Sequence, residues 1–158
     1  MGLSIVVENL SGKRVGIAAL RARLRAAAGE EGIVAGDWRV SIVDDAAMRR
    51  LHRQTMQIGT TTDVLTFDLR ETGPGKGLDL DTVLCRDVAA RVAVERKHTI
   101  LDELTLYAVH SLLHVCGYDD LQEKKAARMH RREDEILRAI GVGNVYASNR
   151  QPQKSRRG

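Results

Sequence analysis

The stretch HSLLHVCGYDD, His110 to Asp120, closes an apolar segment that begins at Ile100, and it carries two histidines four residues apart before a glycine and two acids. A helix over Ile100–Cys116 accounts for the apolar run, and on it His110 and His114 project from one face a turn apart. Gly117 ends that helix, because glycine takes the left-handed conformation that turns a chain back at a helix C terminus. The helix is the second of three read from pattern, the others covering Arg86–Lys97 and Gln122–Ile140, the last ended by Gly141. Upstream lie four strand-like stretches, LSIVVEN, WRVSIVDD, DVLTFDL and LDTVLC. Val40 and Ile42 alternate with polar residues in the second of them. Between strands, RVGIAALRARLRAAAG reads as a helix with Ile17, Leu20, Leu24 and Ala28 on one face and Gly29 at its end, and AAMRRLHRQT reads as a shorter one. QIGTT and ETGPGKG read as loops. Strands first and helices last predict an α+β fold, a single domain with a small mixed sheet of about four strands and helices packed on one face of it.

A chain of 158 residues that is 43% hydrophobic is long enough for one buried core and short for two. No basic segment leads into an apolar run near the start, and no stretch approaches the roughly 20 apolar residues of a membrane span, so the cytoplasm is the expected compartment. Cys85 and Cys116 sit in apolar surroundings, form no CxxC pair and read as free thiols. The net charge of +4 is carried by Arg150, Lys154, Arg156 and Arg157 in the tail NRQPQKSRRG, which leaves residues 1–148 neutral. Residues 1–148 are therefore expected to form the domain and 149–158 a basic, disordered tail, solvated or touching RNA phosphates through charge alone.

Two imidazoles a turn apart can meet one metal ion, and the turn at Gly117 brings either Asp119 or Asp120 back as a third ligand. The competing reading has Gly117 as a plain terminator and the two aspartates as caps of the next helix, which leaves the paired histidines without a role. Three protein ligands with one open position make the catalytic type of zinc site. A structural site would show a fourth ligand, and His98 and His130 are the remaining candidates without useful spacing. The residue after the first histidine is Ser111, not the glutamate of HExxH, which speaks against an ordinary zinc protease.

HSLLHVCGYDD resembles the signature of the YbeY family of endoribonucleases, or ribosomal RNA maturation factors, through both histidines, Leu113, Gly117, Tyr118 and Asp119. TDVLTFD (Thr62–Asp68) is similar to that family's T-D-V-L-S-F, and MHRREDEIL is similar to its M-x-x-x-E-x-x-I-L helix through Met129, Glu133, Ile136 and Leu137. The resemblance spans Leu51 to Ile140 in order. It implies a zinc-dependent, single-strand-specific endoribonuclease acting in small-subunit (16S) rRNA 3′-end maturation and ribosome quality control. It also implies a cleft between the zinc helix and DVLTF, one Zn2+ per chain, ribosomal RNA and the small subunit as partners, and no DNA or membrane partner. The family's third histidine falls on Asp120, so the implied metal ligands are His110, His114 and Asp120. A carboxylate in place of an imidazole lowers the charge at the metal and makes bound water less acidic. The family's glycine after the first histidine is Ser111, and a family arginine falls on Met56, with Arg53 the nearest substitute for handling phosphate. Asp119 is the expected group that fixes a histidine tautomer, or else a cap of the next helix.

Arg53 and, on the last helix, Lys124, Arg128, Arg131 and Arg132 are candidates for phosphate contacts, although Arg131 and Glu135 stand at ion-pair spacing and such charges usually form a solvated face. With 3% aromatic residues, stacking platforms for bases are not expected. Two other functions compete: a ribosome-assembly or RNA-binding factor with a mainly structural metal, and a zinc peptidase.

Overall fold

The computed structural model describes residues 2–56, 62–70 and 77–143. The loop QIGTT, the loop ETGPGKG up to Lys76, the tail 149–158 and the side chain of Met56 lie outside the described residues. Four strands, β1 (Leu3–Asn9), β2 (Gly36–Val43), β3 (Val64–Asp68) and β4 (Leu78–Cys85), form one sheet in the order β1-β2-β4-β3. β1 and β4 flank β2 in parallel, and β3 runs antiparallel to β4 at the edge, so the sheet is mixed as expected. β4 starts two residues earlier than the stretch LDTVLC suggests, because Leu78 and Leu80 continue its alternation of buried and half-buried positions. Gly36, where β2 begins, has φ +118, and a Cβ there would come within 2.2 Å of the Leu78 backbone, so only glycine lets β2 and β4 approach this closely.

Five helices complete the described residues: α1 (Ile17–Glu30), α2 (Asp45–Met56), α3 (Arg86–Arg96), α4 (Ile100–Val115) and α5 (Glu123–Ala139). α1 runs through Gly29, and the left-handed residue that follows it is Gly32. Leu20, Leu24, Ala27 and Ala28 of α1 are buried against β1 and α4. α4 lies across β3 and β4 on the same face, with α3 and α5 packed on it. Its residues from Glu103 to Val109 and from Ser111 to Leu113 are buried. Removing each large apolar side chain of this kind from water contributes about 1.5–3 kcal/mol, and this face holds the main core.

α2 departs from the one-face expectation. It covers the opposite face, where Val43, Met48, Leu65 and Cys85 form a separate small cluster. Val43 and Cys85 point away from Ile42 and Leu84 by the strand's two-residue period, so a helix placed over them has to sit on the other side. Among the described residues no helix is long and apolar enough to cross a membrane.

Candidate metal centre and cleft

α4 starts at a capping box in which the Thr99 hydroxyl accepts from the Asp102 N–H at 3.0 Å and the Asp102 carboxylate accepts from the Thr99 N–H. It ends in a Schellman turn: the Tyr118 N–H donates to Leu113 O at 3.0 Å, the Gly117 N–H donates to His114 O at 3.3 Å, and Gly117 has φ +102. The reversal returns Asp120 to the two histidines. His110 Nε2 and His114 Nε2 lie 3.0 Å apart, and Asp120 Oδ2 and Oδ1 stand 3.6 and 3.9 Å from them. One donor atom from each of the three residues lies within 4.8 Å of the others. Two imidazole nitrogens and a carboxylate oxygen converging on one point fit a divalent transition metal.

Glu133 completes the arrangement from α5. It is 1% exposed, and its Oε2 accepts from His110 Nδ1–H. That bond fixes the tautomer and leaves the His110 Nε2 lone pair facing His114 and Asp120. Burial works against a charged His110 ring, but the Glu133 bond and charge outweigh it and hold the His110 pKa above the usual imidazole value. Burial, followed by the charge of His110, pushes His114 down, while burial raises Glu133. Met129, Glu133, Ile136 and Leu137 occupy one buried face of α5. Glu133 stands at helical spacing with Met129, Ile136 and Leu137, a signal that could have marked it, since a buried acid needs a partner.

The histidine cluster opens into a cleft of about 290 Å³ lined by Asp63 and Val64 at the start of β3, Arg96 of α3, Leu106, Tyr107 and His110 of α4, Asp120, and His130 and Glu133 of α5. It runs between the histidine helix and the DVLTF strand. Neither Arg96 nor Tyr107 is marked by a motif in the sequence, although Tyr107 shares the histidine-bearing face of its helix; the two stand on helices joined by a corner at Lys97, a non-glycine residue with φ +61.

The remaining candidates lie elsewhere. The Asp119 carboxylate accepts from the Leu121 N–H at 3.1 Å and stands 3.7 Å from Lys125 Nζ, so it shapes the turn into α5. Arg53 is exposed on α2 and is not among the residues lining the cleft. Glu135 pairs with Arg132 at 3.0 Å, and Arg132 also reaches Glu31 at 2.6 Å, tying α5 to the end of α1. Ser111 points into the sheet. Its buried hydroxyl accepts from Thr66 at 2.9 Å and lies 2.8 Å from the Thr82 hydroxyl, which in turn accepts from Trp38 Nε1–H at 3.0 Å. Cys85 and Cys116 form no disulfide, and the Cys85 thiol donates to Asp45 Oδ1 at 3.4 Å.

Residues 16–141 match the protein family described as Endoribonuclease YbeY. The Endoribonuclease YbeY of Moorella thermoacetica is 40% identical over 130 residues, covering 75% of this chain and 83% of the relative. That of Mycolicibacterium vanbaalenii is 32% identical over 167 residues, covering 98% of this chain and 91% of the relative. The solution structure of TM1509 from Thermotoga maritima superposes with a TM-score of 0.62 at 24% identity, over 86% of this chain and 88% of that one, and shares the fold.

Proposed function

We propose, from the premise that this chain belongs to the YbeY family of endoribonucleases, that it cleaves single-stranded RNA with one zinc ion held by His110, His114 and Asp120. The observation that carries this reading is the convergence of those three donors, with the buried Glu133 on the far nitrogen of His110. When bound, a zinc ion in such a three-donor site supplies a Lewis acid for a phosphoryl oxygen and an attacking water. Glu133 holds the His110 ring in the metal-binding tautomer, and its burial keeps solvent from competing for that bond. Leu106, Val64 and Tyr107 give the cleft an apolar wall that orders the substrate beside the histidines. The Gly117 turn sets the position of Asp120 without adding a side chain of its own.

The substrate class we infer is ribosomal RNA, with the small subunit as the assembly in which the single strand is presented, 16S 3′-end maturation and ribosome quality control as the tasks, and the cytoplasm as the compartment. Asp119 serves the turn that delivers Asp120, and the tautomer role falls to Glu133.

Metal content measured by mass spectrometry on untagged protein tests the site. One zinc per chain is expected in the wild type. Asp120→Ala should lose it, and Glu133→Gln should weaken it by about 10–100-fold, the usual effect of removing an outer partner of a ligand histidine. Cleavage of an unstructured RNA should follow zinc occupancy across the three proteins. Zinc binding indifferent to Asp120, or RNA cleavage that survives its loss, overturns the reading.

A further inference from the structure

The cleft beside His110 is acidic in its own right. Asp63, Asp120 and Glu133 line it, and Arg96 is the only arginine or lysine among the lining residues. A polyanionic substrate entering three carboxylates needs a fixed positive charge besides a metal ion. Arg96 stands in the last turn of α3 with its side chain 19% exposed, poised between burial and solvent.

Among the described residues its tether leaves it donors to spare. Arg96 Nη1 donates to Glu103 Oε1 at 3.4 Å, one long bond from a fork that carries five N–H groups. A two-pronged clamp would have occupied both faces of the carboxylate, whereas here Glu103 Oε2 makes no hydrogen bond. Glu103 is fully buried, and burial raises its pKa against the pull of Arg96. The α3–α4 corner has other fixings besides this contact. The Thr99–Asp102 capping box fixes the start of α4, and Arg23 of α1 holds Asp102 at 3.0 Å.

We propose that Arg96 is a phosphate-binding residue of this cleft, taking a backbone phosphate of the RNA next to the His110–Asp120 cluster with its other N–H donors while Glu103 holds Nη1. The assignment rests on the nuclease reading above. It gives this chain the phosphate-directed arginine that the sequence placed at Arg53, at a position where the cleft can use it. A planar fork with free donors suits a phosphate better than an ammonium would, and the contact is indifferent to base identity.

The test uses the full chain loaded with zinc and a single-stranded RNA oligonucleotide, comparing the wild type with Arg96→Gln, Arg96→Lys and the double variant Arg96→Gln/Glu103→Gln. The double variant removes both ends of the pair and keeps the corner from burying an unmatched acid. Loss of one phosphate contact should make the slope of log Kd against log salt shallower by about 0.7. KM should rise by about ten-fold with kcat within about two-fold, the split expected for a binding contact shared by ground and transition states. Arg96→Lys should retain the salt slope. If both glutamine variants keep the wild-type slope and KM and lose only thermal stability, Arg96 is a pin between helices and the proposal fails while the nuclease reading stands. If the wild type binds RNA without cleaving it, the nuclease reading fails and the slope still decides Arg96. If the wild type does not bind RNA at all, both fall.

Discussion

The two faces of the sheet are built to different standards. On one, α1, α4 and α5 close over Trp38, Val40, Ile42, Leu80 and Leu84 in a continuous core, and every residue of the histidine cluster hangs from elements seated in it. On the other, α2 covers a cluster of four buried residues, and the rest of that face is finished by the Arg39 guanidinium lying over Asp79 and Asp81, all three about 40% exposed. Exposed ion pairs of that kind contribute about 0–1 kcal/mol. The lesson concerns α4. A helix that presents two ligands and a cleft wall has to be fixed to better than an ångström, and here it is fixed by burial on nearly every side and by the Ser111–Thr66–Thr82–Trp38 hydroxyl chain beneath it.

Truncation on the two faces should therefore have different consequences. Leu112→Ala, one residue from the hydroxyl chain and 0% exposed, should cost about 3 kcal/mol and lower Tm by about 10 °C. It should also weaken zinc binding, because α4 shifts into the space left behind. Calorimetry and a zinc competition titration on the same samples read both effects. A Leu112→Ala protein with a large Tm loss and wild-type zinc affinity would mean that the core does not set the ligand geometry.

On the α2 face, Met48 is also 0% exposed, but it sits in the small cluster. Met48→Ala should cost about 2 kcal/mol, at the lower end for a buried methionine, since fewer neighbours lose contacts. Zinc affinity should stay within about two-fold of the wild type, well under the ten-fold that 1.4 kcal/mol would produce. A parallel loss of zinc affinity would erase the distinction between the faces.

The same contrast explains what the sequence made visible. The strands, α4, α5 and the reversal at Gly117 are local features, written in alternation, in helical stripes and in a glycine where a left-handed residue is needed. The turn narrowed the third ligand to Asp119 or Asp120, and the family resemblance, which sets a histidine at the second of these, singled out Asp120. Strand order could not be read, because β4 inserts between β2 and β3 through contacts distant in sequence. Nor could the side on which α2 packs, which follows from whether the strands below it end on Ile42 or Val43 and on Leu84 or Cys85. Glu133 entered only as a match to the M-x-x-x-E-x-x-I-L helix, and its partner depends on how α5 crosses α4. Arg96 was harder still. It precedes His110 by fourteen residues on another helix, and the corner that brings it to the cleft turns on Lys97, a residue type that gives no hint of a left-handed conformation. Arg53 drew notice through nearness in sequence to a family motif, a signal that carries no information about facing.

The smallest expected effect tests how α2 is held in place. Asp87, in the first turn of α3, accepts from the Lys13 ammonium at 2.8 Å and from the Asp45 N–H at the start of α2 at 2.9 Å, so one carboxylate joins two helix starts and a loop. The Lys13 bond, followed by the Asp45 N–H, holds its pKa below the usual aspartate value despite some burial. A carboxyl whose pKa is lower folded than unfolded stabilises the protein above the unfolded value, near 3.9, and that contribution is lost as the pH falls through the folded value. Asp87→Asn should therefore cost about 1 kcal/mol at pH 7, and the gap between variant and wild type should narrow at an acid pH below the usual aspartate value. Urea titrations at both pH values give the comparison, with zinc content as the control for the other face. A gap that persists in acid would assign the role of Asp87 to neutral hydrogen bonding. A change in zinc content would mean that the α2 face reaches the ligands through α3, and the two faces would then have to be treated as one unit.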